Sequence, residues 1–341
     1  MSTIWSNAVD ATENGVQSIK DGTWSGSPTT KYNVLVGDDD NKLANVAPSA
    51  TVGLPLTSNG SSANPSFAQL TVPGGGTDAS SFNINGAVIS GSTSTSALSA
   101  VTLASQEILV GNVAGAPSAK NWQIKETLYV TGTHTHTFAT GMMYALVQLQ
   151  AAGGGGGGCA ANPGNTCSAG AGGGAGAYTQ QLYTASQVGA SQSITIGTYG
   201  VGGNNTGGNG TNAANSSFGS LLVCEGGKGG QGGAASGSTV YNTGGVGGLV
   251  LTPGSIQYVG RPGANSVSFH GSASVELSVG GEGGSTIYGV GGQTTRGNAS
   301  ANAGAVGGGG SGSSGASAGG GGLNGGDGGV GFCIITEYIL D

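Results

Sequence analysis

The sequence predicts a mainly β protein, an elongated trimeric β-rich shaft followed by a C-terminal glycine-rich domain whose strands frame packed, polyglycine-II-like tracts. Three observations predict it: short β-segments broken by turns in the first half, a steep rise in glycine near Ala151, and a period of three within the glycine tracts. Of 75 glycines, 15 lie in residues 1–150, which leaves 60 in residues 151–341. Charged residues make up only 7% of the chain, where a typical globular domain has about 25%. A half with one glycine in three has few side chains to bury, while ordering each backbone residue costs about 1–2 kcal/mol. Something other than an ordinary apolar core must hold it together.

Residues 1–30 are read as a separate N-terminal segment, in which Ala8–Lys20 has the one spacing that suits a short helix. Residues 31–126 contain YNVLVG, VGLPL, FAQLTV, FNINGAVIS, SAVTL and EILVGNV, and KETLYV runs across their end to Val130. These are short runs rich in Val, Ile, Leu and Thr, bounded by Gly, Pro, Asn or Asp, and read as strands. A degenerate repeat of about 53 residues relates Val34–Gly37 and the Leu56–Pro65 stretch to Ala87–Ser90 and the Leu109–Pro117 stretch. One such unit has too little apolar surface to stand alone, so stacking or association between chains is expected, as in a thin threefold intertwined shaft.

In residues 127–341, apolar strands frame the glycine tracts: TFATGMMYALVQLQAA, AYTQQLYTASQVGASQSITIG, SSFGSLLVCEGG and the closing GVGFCIITEYIL. Runs such as Gly226-Gly227-Lys228-Gly229-Gly230-Gln231-Gly232-Gly233 and Gly325-Gly326-Asp327-Gly328-Gly329-Val330 repeat every third residue, the period of an extended left-handed helix without internal hydrogen bonds. Side by side, such tracts can exchange backbone hydrogen bonds and satisfy buried N–H and C=O groups. The alternative is a flexible Gly/Ser linker; the large residues that interrupt the tracts and the closing strand favour order.

Composition narrows function. The formal net charge is −7 and only Lys228, Arg261 and Arg296 follow Ala151, so no basic face for nucleic acid is expected. The start has no basic stretch and apolar core of a signal peptide, and the apolar run around Met142–Ala152 is too short to span a membrane. No GxxxxGK[ST] phosphate loop is present, because the lysine of GGKGG is followed by glycine. His270 lacks a G-x-S-x-G elbow or a clear acid partner, and no enzyme is expected. Asp38-Asp39-Asp40 reads as an exposed turn tip with at most loosely held calcium. Cys224 and Cys333 sit in apolar runs and read as buried free thiols, whereas the seven residues between Cys159 and Cys167 select neither a disulfide nor a metal.

Two sets of side chains carry candidate function. His134 and His136, at i and i+2 of a predicted strand, point to one face; three chains on an axis would bring six imidazoles around one divalent metal ion, the alternative being a solvent-exposed Thr/His strand. Tyr199, Asn204, Asn205, Tyr241, Asn242, Tyr258, Arg261, Phe269, His270, Tyr288 and Arg296 combine aromatic contact area with short polar groups, the composition of an adaptable binding surface; the alternative for each is scaffold packing.

The order THTHTFATGMMYALVQLQAAGGGGGG, AYTQQLYTASQVGASQSITIGTYGVGG, SSFGSLLVCEGGKGGQGG and GGGGLNGGDGGVGFCIITEYIL resembles the glycine-rich tail-fibre and adhesin proteins of tailed bacteriophages, and the segment from Tyr32 to Phe67 is similar to a repeat of phage fibre shafts. The resemblance implies a virion component, a homotrimeric fibre shaft over 31–126, and a receptor-binding domain over 127–341 that attaches to a bacterial surface polysaccharide or outer-membrane protein. It implies that residues 1–30 join other tail or baseplate proteins and that the His-x-His pair holds iron on the trimer axis. A tail connector or decoration protein, and a capsule depolymerase, are the competing readings.

Overall fold

The computed structural model describes residues 19–20, 23–24, 34–37, 43–47, 49–50, 54–59, 63, 65–68, 86–89, 99–112, 115–271, 276–315 and 320–341. These are mainly β, with a single four-residue helix among the described residues. The chain divides into two compact units, Met1–Lys120 and Asn121–Asp341.

The described residues of the first unit form antiparallel hairpins. Val34–Gly37 pairs with Leu43–Val46, and Leu56–Thr57 with Ser66–Phe67. About 53 residues on, Gly86–Ile89 pairs with Ser99–Thr102, and Glu107–Asn112 neighbours the strand that starts at Gly115. The degenerate repeat is thus a repeat of hairpins. Ile19–Lys20 forms a strand with Thr23–Trp24, which corrects the helix expected over Ala8–Lys20 at its C-terminal end; its earlier residues, and Asp38–Asp40, lie outside the described residues.

In the second unit we number elements from the strand that enters it. They are β1 (Gly115–Tyr129), β2 (Gly132–Thr137), β3 (Met142–Gln150), β4 (Ser168–Ala169), β5 (Tyr178–Thr184), α1 (Ala185–Val188), β6 (Ser191–Ile196), β7 (Ser216–Phe218) and β8 (Leu222–Cys224). They continue as β9 (Val240–Asn242), β10 (Val250–Thr252), β11 (Ile256–Tyr258), β12 (Ser266–His270), β13 (Glu276–Gly280), β14 (Thr295–Arg296), β15 (Ser314–Gly315) and β16 (Phe332–Leu340).

A first sheet runs β11-β5-β3-β16-β1 and ends on Glu107–Asn112 beside β1, with the closing strand β16 between β3 and β1. A second runs β2-β6-β7-β8-β10. Alternation decides what meets between them: Ala145, Val147 and Leu149 of β3 and Cys333, Ile335 and Ile339 of β16 point inward, onto Ile194, Phe218 and Leu222. This is the one ordinary apolar core of the described residues, and each Leu, Ile or Phe in it contributes about 1.5–3 kcal/mol by leaving water.

The strands then run straight into glycine. β3 continues as Ala151–Gly158, Gly170–Ala177 leads into β5, and Gly325–Gly331 leads into β16. Along Gly153–Cys159 the hydrogen-bond partner changes with every residue and returns every third. Gly153, Gly156 and Cys159 donate to Gly329, Gly326 and Leu323; Gly154 and Gly157 to Gly174 and Ala171; Gly155 and Gly158 to Thr211 and Gly208. The carbonyls follow the same rule, with Gly153 and Gly156 accepting from Gly200 and Gly203, Gly154 and Gly157 from Gly310 and Ser313, and Gly155 and Gly158 from Gly230 and Gly233. All these N···O distances lie between 2.8 and 3.1 Å.

One tract is therefore bonded to six others, three as donor and three as acceptor, and residues 151–159 are buried throughout. Residues 168–179 and 307–315 are equally buried and bonded in the same manner. This lattice satisfies the buried peptide groups that side chains cannot. It also dictates glycine, since a methyl group at Gly156 would fall on the carbonyl oxygen of Ser311 and one at Gly173 on that of Gly154.

Among the described residues no helix is long and apolar enough to cross a membrane. All four cysteines are free and buried, as the reading of Cys224 and Cys333 expected, and Cys159 and Cys167 form no disulfide.

Candidate recognition surface and the buried histidine cluster

A third sheet, β9-β12-β13-β14, lies on the glycine lattice with its polar side down. Asn242 Nδ2 and Ser266 Oγ donate to the carbonyl of Ala169 at 2.7 and 2.9 Å, Ser278 Oγ to that of Ser168 at 2.5 Å, and Thr295 Oγ1 to that of Gly312 at 2.8 Å. A lattice surface made of carbonyl oxygens attracts hydroxyl and amide donors, so the usual alternation is inverted: polar residues are buried and apolar ones face water. Tyr241 is 73% exposed, and Phe269, Leu277 and Arg296 are exposed beside it. Tyr241, Val267, Val279 and Arg296 form one cross-strand row, with Phe269 opposite Leu277 in the next.

This alternation sorts the residues singled out from the sequence. Tyr241, Phe269 and Arg296 share the outer face, whereas their neighbours Asn242 and His270 point inward. His270 is half-buried, in register with Glu276, and its Nδ1 has no hydrogen-bond partner. Nothing in its own sequence neighbourhood marks Leu277 as outward-facing.

Tyr258 and Tyr288 flank the buried Tyr178, at ring-centroid distances of 6.2 and 5.3 Å. Gln148 Nε2 donates to the hydroxyls of Tyr178 and Tyr288, and Tyr178 donates to Gln180 Oε1 at 2.8 Å. Burial, with the Tyr288 hydroxyl beside it, pushes the Tyr178 hydroxyl well above its ordinary range and keeps it protonated. Tyr199, Asn204 and Asn205 are exposed in the connection between β6 and β7, where Asn204 Oδ1 accepts from Thr206 Oγ1 at 2.7 Å and from the Gly208 amide at 3.1 Å. Arg261 is exposed, and its carbonyl accepts from Ala175 in the lattice. The eleven residues thus fall into separate groups, and only those on the third sheet make a continuous rigid face.

His134 and His136 do point to one side of β2, but their surroundings differ. His134 is exposed, with its ring against Tyr129 at 4.9 Å and its Nε2 on the Thr131 carbonyl at 2.5 Å. His136 is buried: its Nδ1 lies 2.9 Å from the Tyr129 hydroxyl, and its Nε2 lies 3.2 Å from Glu337 Oε1 without the alignment of a full hydrogen bond. A ring protonated on Nε2 faces Glu337 and leaves Nδ1 to accept the Tyr129 proton.

Glu337 is the inward-pointing acid of β16. Its Oε2 accepts from the Ala139 amide at 2.7 Å and its Oε1 lies 3.4 Å from Lys125 Nζ. Burial lowers the His136 pKa from its ordinary value; the Glu337 carboxylate opposes this and Lys125 adds to it. Burial likewise raises the Tyr129 hydroxyl. The cluster pins the closing strand to β1 and β2. The sequence does not mark Glu337, which sits far along the chain from both histidines.

Within one chain, no group of three or more His, Cys, Asp or Glu side chains among the described residues could hold a metal ion. Both ring nitrogens of His136 are turned to protein groups, so His134 is the imidazole that remains accessible. Burial pushes the thiols of Cys224 and Cys333 up to about 12 and raises that of Cys167, which leaves them without nucleophilic character at neutral pH.

No curated protein matches the chain. Residues 127–338, the segment that holds the second and third sheets, the lattice, and His134, His136 and Glu337, match the sequence model of a glycine-rich domain family. On that match, which spans more than half of its length, the chain belongs to the glycine-rich domain family.

Proposed function

We propose that this chain is a structural virion protein, a bacteriophage tail fibre or spike that attaches the particle to the bacterial surface through its glycine-rich second unit. The observation that carries the reading is the third sheet: a polar underside bonded to a rigid lattice and an outer face of Tyr241, Phe269, Leu277 and Arg296 open to solvent. Aromatic and apolar contact area held without conformational freedom binds at low entropic cost. A bacterial surface polysaccharide or outer-membrane protein is the partner class that the resemblance to phage adhesins implies.

We further infer that the lattice consists of polyglycine-II helices, for which the three-residue return of every donor and acceptor is the support. The hairpin repeats of the first unit belong, in this reading, to a homotrimeric fibre shaft, with residues 1–30 joined to other tail or baseplate proteins. On a trimer axis His134 is the residue that would meet a divalent metal such as iron.

The reading is tested by competition. Purified full-length protein added ahead of phage should occupy receptors and reduce infection, whereas unchanged infection at saturating protein would count against it. Virions that infect normally without residues 121–341 would favour a connector or decoration role, and oligosaccharide released from host capsule would favour a depolymerase.

A further inference from the structure

The first sheet of the second unit has an outer face that no described residue of that unit covers. Trp122, Ile124 and Leu128 of β1, Tyr144 of β3, Leu182 of β5 and Ile256 of β11 each expose between 39% and 62% of their surface. Register makes them one patch: Ile124 lies across from Tyr338, Tyr338 across from Tyr144, and Leu146 across from Leu182. Six side chains of this size expose about 600 Å² between them, and the half-buried residues of the rows bring the face toward the ~800 Å² that each partner contributes to an interface of standard size. Isolated monomers seldom leave so large an apolar patch in water.

Two further features say what covers it. In a chain of net charge −7, the rows from Trp122 to Leu128 carry one charged side chain, Glu126, with Lys120 one step outside them on the same side of β1, and the centre of an interface is depleted in charge. β1 has two neighbours, β16, which pairs with residues 122–129, and the six-residue strand Glu107–Asn112 joined to its start, so beyond the reach of that short strand the outer backbone groups of β1 are available to a further strand.

We propose that this face, with the open edge of β1, is where a second copy of this chain docks. The proposal rests on the reading of the chain as a homo-oligomer, and holds that the shaft does not keep the chains together without this contact in the second unit.

The test uses the full-length chain, of 32.3 kDa, and its Ile124→Lys/Leu182→Lys variant, with mass measured by light scattering. Both positions are exposed, so lysine is tolerated in the isolated fold, and circular dichroism and melting check this. Ile124→Cys supplies an independent readout, because the four native thiols are buried. The expected result is a multiple of the chain mass for the wild type, a single-chain mass for the double-lysine variant, and maleimide labelling of Ile124→Cys that is at least tenfold faster once Leu182→Lys is added. A wild-type chain of single mass would overturn the proposal, as would a double-lysine variant that keeps the wild-type mass, whether its Ile124→Cys counterpart labels freely or is shielded by another part of the chain. Should the double-lysine variant misfold, rapid labelling of Ile124→Cys in the intact oligomer overturns it, and slow labelling relieved by dilution to single chains supports it. Loss of cell attachment at unchanged mass bears on the attachment reading and leaves this one standing.

Discussion

Asn242 Nδ2 donates to the carbonyl oxygen of Ala169 at 2.7 Å, and the residue before it, Tyr241, is 73% exposed. One residue fastens the third sheet to the lattice and its neighbour faces outward. Stability and recognition should therefore separate at adjacent positions. Asn242→Ala leaves the sheet without one of its buried donors and should cost about 1–3 kcal/mol. Tyr241→Ala should change stability by less than about 0.5 kcal/mol. Thermal unfolding of the two variants checks this.

The lattice makes a position-specific demand for glycine. Gly156→Ala drives a methyl group onto the Ser311 carbonyl, which should cost about 2–3 kcal/mol and lower the melting temperature by about 5–10 °C. Gly321→Ala, whose added methyl meets nothing within 4 Å, should melt like the wild type. Equal effects at the two positions would mean that the tracts are not packed.

The histidine cluster predicts a pH dependence. His136 is held neutral in the fold because burial lowers its pKa, while in the unfolded chain it takes up a proton near its ordinary value of 6.5. The unfolded state thus binds more protons below that pH, so the stability contributed by neutral His136 is fully present above about pH 6.5 and is lost as pH falls toward the depressed folded value. Melting temperature should drop from pH 8 to pH 5. His136→Gln should melt lower than the wild type at pH 8 and show a shallower slope over the same range.

The thiols offer a simple check on burial. With Cys224 and Cys333 pushed up to about 12 and all four cysteines buried and free, none should react with a disulfide reagent at pH 8 until the chain unfolds, and then four should react. Reducing agent should leave the melting temperature unchanged.

Much of this architecture is written in local patterns. The alternation in MMYALVQLQ and FCIITEYIL marks β3 and β16, and the period of three in the glycine runs marks the lattice. Which tract meets which is not legible, because every tract offers the same N–H and C=O groups and the pairing of Gly154 with Gly174, or of Gly156 with Gly326, is settled by how the framing strands enter. The third sheet misleads for a different reason. In SVSFH the polar residues look solvent-facing, yet Ser266 and Ser268 are buried and Phe269 is exposed, since what lies beneath is a sheet of carbonyl oxygens rather than an apolar core. The short helix Ala185–Val188 also escaped the pattern, being one turn closed by the Thr184–Gln187 capping box. For the histidines, the i and i+2 spacing places both on one side of β2, but only the fold reveals that Glu337 and Tyr129 enclose one and not the other.

Attachment through the outer face of the third sheet is the central claim, and binding of fluorescently labelled full-length protein to a panel of bacterial hosts tests it most directly. The Tyr241→Ala/Phe269→Ala/Leu277→Ala variant should melt within about 1 kcal/mol of the wild type, because all three side chains are exposed. The wild type should bind a susceptible host, and the triple variant should bind it at least tenfold more weakly. A folded triple variant that binds such cells as tightly as the wild type would contradict the account.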